Sequence, residues 1–231
     1  ELSNALEIVD ISNPATPFHK GSIINGADGS TFYSPKAVAV SGHYAYVVSY
    51  SNALEVIDVS NPVLSLHKST LYDENVRLLR PIAITISGNY AYIVSSGRQG
   101  IDIVDISNPA HPVIKGSYYI NSLTSPSSVF VSGNYMYLTF IIVGQNGGGL
   151  QIVDVSNPDN PVLKSGINDG TDGATISYPR SVFVSNGHAY ITSWDTKSLE
   201  IVDVSDPNNP VHKGKLTSGF GNASNFTPNF S

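Results

Sequence analysis

Five stretches of this chain are copies of one another: LEIVDISNP (6–14), LEVIDVSNP (54–62), IDIVDISNP (101–109), LQIVDVSNP (150–158) and LEIVDVSDP (199–207). Their aspartates, Asp10, Asp58, Asp105, Asp154 and Asp203, are spaced 48, 47, 49 and 49 residues apart. A second stretch occurs four times: PKAVAVSGHYAYVV (35–48), PIAITISGNYAYIV (81–94), PSSVFVSGNYMYLT (126–139) and PRSVFVSNGHAYIT (179–192). A period near 48 built of short alternating runs has the length of a propeller blade.

Each period reads as four strands, A to D. Strand A (VAVS type) alternates β-branched residues. A two-residue turn with Gly or Asn, which tolerate positive φ, leads to strand B (YAYVV). Strand C is LEIVDIS, and after Ser-Asn-Pro-x-x-Pro comes strand D (PVIKGSY type), the prolines setting the turn and starting the strand. No long stretch shows a helical period. Strands A to C are apolar on both faces, as sheets stacked on neighbours require. Strand D repeats Lys20, Lys68, Lys115, Lys164 and Lys213 at one position, as an outer edge needs to avoid sticking. The expectation is an all-β β-propeller in a single domain, residues 1–231. It has a C–D half-blade at 1–23, complete blades at about 35–70, 81–118, 126–167 and 179–216, and a tail or the start of another blade at 217–231. The LEIVDIS and LQIVDVS segments resemble the LVIVD repeat, a family of β-propeller repeats in bacterial and archaeal proteins, many exported or surface-attached. The resemblance implies fold and compartment rather than an activity.

Pro228 lies 18 residues after Pro210, as Pro35 does after Pro17, so 228–231 reads as the opening of a further strand A. Joining Ser231 to Glu1 as a five-bladed ring would need about 11 further residues. The expectation is that the ring belongs to a longer sequence, that flanking residues are disordered, or that a neighbouring copy donates the missing strands.

Composition excludes several classes. Twelve Lys and Arg against 18 Asp and Glu, without a basic cluster, argue against nucleic acid. The absence of Cys removes a disulfide scaffold, a thiolate zinc site and a thiol nucleophile. The longest apolar run, 137–143, falls far short of the ~20 residues of a membrane-spanning helix, so no membrane insertion is expected. Charged residues make up 13%, about half the usual ~25%. With no Cys and many Asn, Ser and Tyr, this points to an exported or cell-surface protein. Asn222 and Asn225 begin triplets that fit N-glycosylation.

The A–B and C–D turns are near copies in every blade, whereas the D–A and B–C loops vary, and variable loops on a rigid scaffold are where binding sits. Candidate ligand residues there are Trp194, Asp195, Tyr33, Tyr178, Arg77 and Arg98. Trp194, the sole Trp, suits stacking on a sugar or a peptide, against the alternative of packing between blades. Asp28, Asp169 and Asp172 lie in Asp-Gly loops of a kind that can hold Ca²⁺, but turn chemistry alone explains Asp-Gly, so no cofactor is expected, with Ca²⁺ as the alternative. The repeated aspartates are expected to bond the turn that follows each of them, since a residue present in every blade serves the blade. His19, His67 and His212 fall on strand D, away from the variable loops, and no Gly-x-Ser-x-Gly, phosphate loop or His-Glu-x-x-His is present. The expectation is a non-catalytic scaffold, adhesion or assembly module whose partner is another copy, a surface protein or a glycan. A glycan-binding propeller is the alternative. An enzyme would need carboxylates to converge from Asp28, Asp73, Glu74, Asp169, Asp172 or Asp195.

Overall fold

The computed structural model describes residues 4–72, 78–120 and 124–217. The alternating β-branched and tyrosine-bearing runs form strands, four to a period. They are β1 (Ala5–Asp10) and β2 (Phe18–Ile24); β3 (Pro35–Ser41), β4 (Tyr44–Ser49), β5 (Ala53–Asp58) and β6 (Leu66–Tyr72); β7 (Pro81–Ser87), β8 (Tyr90–Ser95), β9 (Gly100–Asp105) and β10 (Val113–Tyr119); β11 (Thr124–Ser132), β12 (Tyr135–Ile142), β13 (Gly147–Asp154) and β14 (Val162–Asn168); and β15 (Pro179–Ser185), β16 (His188–Ser193), β17 (Ser198–Asp203) and β18 (Val211–Thr217). Four sheets of four strands in sequence order, and a two-stranded β1–β2 sheet, result. No helix of the described residues is long and apolar enough to cross a membrane.

Two compact units divide the chain: residues 1–98 with 102–115, and 99–101 with 116–231. In the first, Tyr46, Val48, Leu54 and Val56 of the β3–β6 sheet pack on Ala91, Ile93 and Val104 of the next. In the second, Leu150 and Ile152 pack on Val182, Ala189, Ile191 and Val202. Burying such a side chain contributes about 1.5–3 kcal/mol, so face-to-face sheets supply the main stabilisation in each unit.

Successive sheets also meet at one repeated backbone contact. A residue after the strand-D lysine approaches the proline carbonyl in the C–D turn of the following sheet. Ser69 and Ser165 donate hydrogen bonds to Pro109 and Pro207, each at 2.6 Å. At Gly21 and Gly116 the chains come closer: a Cβ would lie 2.1 Å from the Pro62 oxygen and 2.2 Å from that of Pro158. Only glycine fits there.

The repeated aspartates serve their turns as expected. Asp10, Asp58, Asp105, Asp154 and Asp203 each accept the backbone N–H of the serine two residues on, at 2.9–3.0 Å. Lys20 pairs with Asp10 at 3.0 Å, and Lys164 and Lys213 with Asp154 and Asp203 at 3.4 Å. The strand-D lysines therefore tie the turn as well as guarding an edge. The idea that strand A is apolar because both faces are covered fails at β3. Val38 and Val40 are 49% and 63% exposed, because they border a hollow of about 300 Å³ beside Leu6 and Ile8 of β1.

Hydrogen bonds from the Ser12 and Ser205 hydroxyls and backbone N–H groups, with help from Lys20 and Lys213, hold the Asp10 and Asp203 carboxyls at about 2. The same serine bonds lower Asp58, Asp105 and Asp154. A carboxyl lowered on folding stabilises fully above its unfolded value of about 3.9 and loses that contribution as pH falls through the folded value. The melting temperature should therefore drop between about pH 4 and pH 2, and Asp105→Asn should shallow that drop. An identical acid profile in the variant would contradict the assignment.

Candidate functional site

The loop between β2 and β3 and the loop between β14 and β15 are built alike. Each has a short 3₁₀ turn, Ala27–Gly29 and Thr171–Gly173, with Asp28 and Asp172 at φ 49° and 51°. Asp tolerates this left-handed conformation better than most residues.

What holds these loops is a buried carboxylate. Glu55 on β5 and Glu200 on β17 have no exposed surface. Burying a carboxylate costs several kcal/mol unless partners surround it, and the loops supply them. Glu55 accepts the Thr31 backbone N–H at 3.2 Å, the Thr31 hydroxyl, and the Thr70 hydroxyl at 2.8 Å. Glu200 accepts the Thr175 N–H at 3.2 Å and the Thr175 hydroxyl. A histidine completes each cluster. His67 Nε2 lies 2.8 Å from Glu55 Oε2 and His212 Nε2 lies 3.0 Å from Glu200 Oε2. Their Nδ1 atoms lie 3.1 Å from the Asp28 carbonyl and 3.2 Å from the Asp172 carbonyl. A carbonyl only accepts, so Nδ1 carries hydrogen, and a proton must lie between Nε2 and the carboxylate as well. Each histidine therefore clamps a loop turn to a buried acid.

This corrects the placement of His67 and His212 away from the variable loops. They are on strand D, but their rings reach the D–A loop. His19 pairs with Glu7 at 2.9 Å in an exposed setting. The other two sheets fill the position differently. Asp102 accepts the Ser95 hydroxyl at 2.7 Å, and Gln151 accepts the Tyr118 hydroxyl at 2.9 Å.

The β14–β15 loop ends at Tyr178, whose carbonyl accepts the Trp194 N–H at 3.1 Å. Their rings meet edge to face at 6.4 Å, and the Arg180 guanidinium lies 5.8 Å from the Trp194 ring centre. Trp194 is 66% exposed, so it does not pack between sheets. Asp195 Oδ2 lies 3.1 Å from the Ser177 hydroxyl, which also meets the Asn146 carbonyl at 2.9 Å. Trp194, Tyr178 and Asp195 are thus brought together, joined by Arg180, which the sequence reading did not single out.

The remaining candidates lie elsewhere. Tyr33 and Arg98 belong to the other unit; Tyr33 is exposed and Arg98 half-buried. Arg77, Asp73, Glu74, Asn222 and Asn225 lie outside the described residues. Burial pushes the Asp169 carboxyl up, as do the nearby charges of Glu200 and Asp195, against hydrogen bonds from the Ile176 and Gly170 backbone. The Asp28 and Asp172 carbonyls each meet a histidine Nδ1. Among the described residues no group of three or more His, Asp or Glu side chains comes together.

Stacked four-stranded sheets in sequence order define a β-propeller. The LVIVD repeat model matches residues 2–24, 34–67, 82–119, 125–169 and 178–218, and the chain belongs to that family. No curated protein matches the sequence. Among solved structures, a Lactobacillus plantarum protein superposes with a TM-score of 0.74 at 13% identity, over 94% of this chain and 66% of its own. A Bacteroides fragilis protein proposed to be a 6-phosphogluconolactonase gives 0.71 at 10%, over 93% and 65%. A periplasmic gluconolactonase of Pseudomonas aeruginosa gives 0.64 at 12%, over 87% and 61%. The chain spans about two thirds of the length of these structures or less. At such identities the likeness is one of fold. It corrects one expectation, however: proteins named as lactonases share this architecture, so the lack of a familiar motif does not make the chain a non-enzyme.

Proposed function

We propose that this chain is a recognition module that binds saccharides through the loop end of the β15–β18 sheet. One observation carries the reading: the sole Trp is left two-thirds exposed, with a Tyr edge and a guanidinium beside it. A large aromatic ring left in water forgoes its burial energy, and in a loop-end position its face suits the CH-rich face of a sugar. The reading puts the protein's work at the cell surface or outside the cell, as an adhesive or scaffolding module. Its partner is a glycan or a surface protein that bears one.

Because Trp194 is the only Trp, its fluorescence reports this site alone. A glycan that binds should shift or quench the emission. Trp194→Ala should weaken binding of that glycan by about tenfold or more, as loss of a central aromatic contact does, at an unchanged melting temperature. A Trp194→Ala variant with full affinity, or a glycan array with no binder, would contradict the proposal.

A second reading, assembly of copies through β1, draws on the hollow beside Val38 and Val40, which strands added beside β1 would fill. It predicts a mass by light scattering that rises with concentration, and a constant monomer mass would overturn it.

A further inference from the structure

The four complete sheets can be compared position by position. The residue after the strand-B partner of the strand-A proline is Tyr50, Ser96, Ile141 and Trp194 in turn, and the residue after that proline is Lys36, Ile82, Ser127 and Arg180. Two sheets therefore carry an aromatic together with a cation, and two carry neither. Where both are present they touch: the Lys36 ammonium lies 4.1 Å from the Tyr50 ring centre, matching Arg180 on Trp194 at 5.8 Å. Neither pair repeats a residue type. What persists between the two sheets is a charge and an aromatic face.

The same two sheets, β3–β6 and β15–β18, carry the buried Glu, the His clamp, the Thr and the preceding 3₁₀ turn. In the β7–β10 and β11–β14 sheets the clamp positions hold Asp102 with Ile114 and Gln151 with Leu163. Features that hold a sheet together, such as the repeated aspartates, appear in all of them. A set that appears whole in two sheets and is replaced together in two others serves something those sheets share.

We infer that β3–β6 and β15–β18 are two copies of one binding module, each of which takes an acidic saccharide by its aromatic ring and its cation together. The inference rests on the saccharide reading above and adds a second site and a ligand class. The rings remain open to a ligand, Tyr50 being 41% exposed and Trp194 66%. A cation held against an aromatic face stays sequestered from competing anions only weakly, and a carboxylate on the ligand forms a charge-assisted hydrogen bond with it. The chain's net charge of −6 does not oppose this at close range, because charges more than about 8 Å away are screened at physiological ionic strength. The cation on the ring is Arg180 in the β15–β18 patch and Lys36 in the β3–β6 patch.

The test is calorimetric titration of the whole chain with trigalacturonate and with sialyllactose, using lactose as the neutral control. At least one acidic probe should bind with two sites per chain and more tightly than lactose. Tyr50→Ala and Trp194→Ala should each leave one site, and Tyr50→Ala should keep the fluorescence response of Trp194. Lys36→Gln and Arg180→Gln should each weaken one site about tenfold for the acidic probe. Binding at a single site that Trp194→Ala abolishes and Tyr50→Ala leaves untouched would overturn the second copy while the saccharide reading stands. Equal affinity for lactose, or binding of neither acidic probe while a neutral glycan still binds at Trp194, would overturn the ligand class. No saccharide bound by any variant or by the parent chain would overturn the saccharide reading itself.

Discussion

A carboxylate shut away from water must have every hydrogen bond supplied by the protein, and that requirement organises one variable loop in each unit. Glu55 and Glu200 lie on central strands with no exposed surface, and neither strand can satisfy them alone. The preceding loop does, through a Thr backbone N–H and hydroxyl, while a strand-D histidine bridges acid and loop carbonyl. Removing one partner from such a cluster would leave a buried charge exposed to a cost of about 3–5 kcal/mol. The loop is thereby fixed on a scaffold that would otherwise leave it free. In the β15–β18 sheet, the chain that leaves this fixed turn runs directly to Tyr178 and the backbone bond that seats Trp194.

The rest of the architecture is repetition with a narrow tolerance. Aspartates close the turns, and the residue after four of the five strand-D lysines (Lys20, Lys68, Lys115 and Lys164) meets the next sheet's proline carbonyl. Glycine serves where backbones approach to van der Waals contact, and serine where a hydroxyl fits between them. Gly214 has nothing within 4 Å of a Cβ built on it, in keeping with β18 belonging to the last described sheet. These contacts join neighbours within each unit, so the sheets hold one another while the loops between them vary.

Much of this was legible in the sequence because repetition multiplies a weak signal. A lone VDISNP is an ambiguous strand and turn, but five at one period fix the strands, the turns and the role of each Asp. The clamp was legible too, and was missed. Glu and His stand twelve residues apart in Glu7/His19, Glu55/His67 and Glu200/His212, and the pair is absent from the two remaining periods. Reading the histidines by strand alone hid this, because a side chain on strand D can reach over strand C to the loop of the preceding connection. The exposure of Trp194 was not legible, since its neighbours Tyr178 and Arg180 reach it from a different strand and loop. Nor was the exposure of Val38 and Val40, whose alternation is that of a covered strand; what covers a face is a tertiary fact.

Both loops are held by buried acids. Amide hydrogen exchange at Thr31 and Thr175 tests this most directly, because each N–H donates to the carboxylate in question. Exchange slowed by about a hundredfold or more relative to an unstructured chain is predicted at both amides, with the slowing lost at Thr175 in Glu200→Ala and kept at Thr31. Exchange at the rate of an open loop in the parent protein would contradict it.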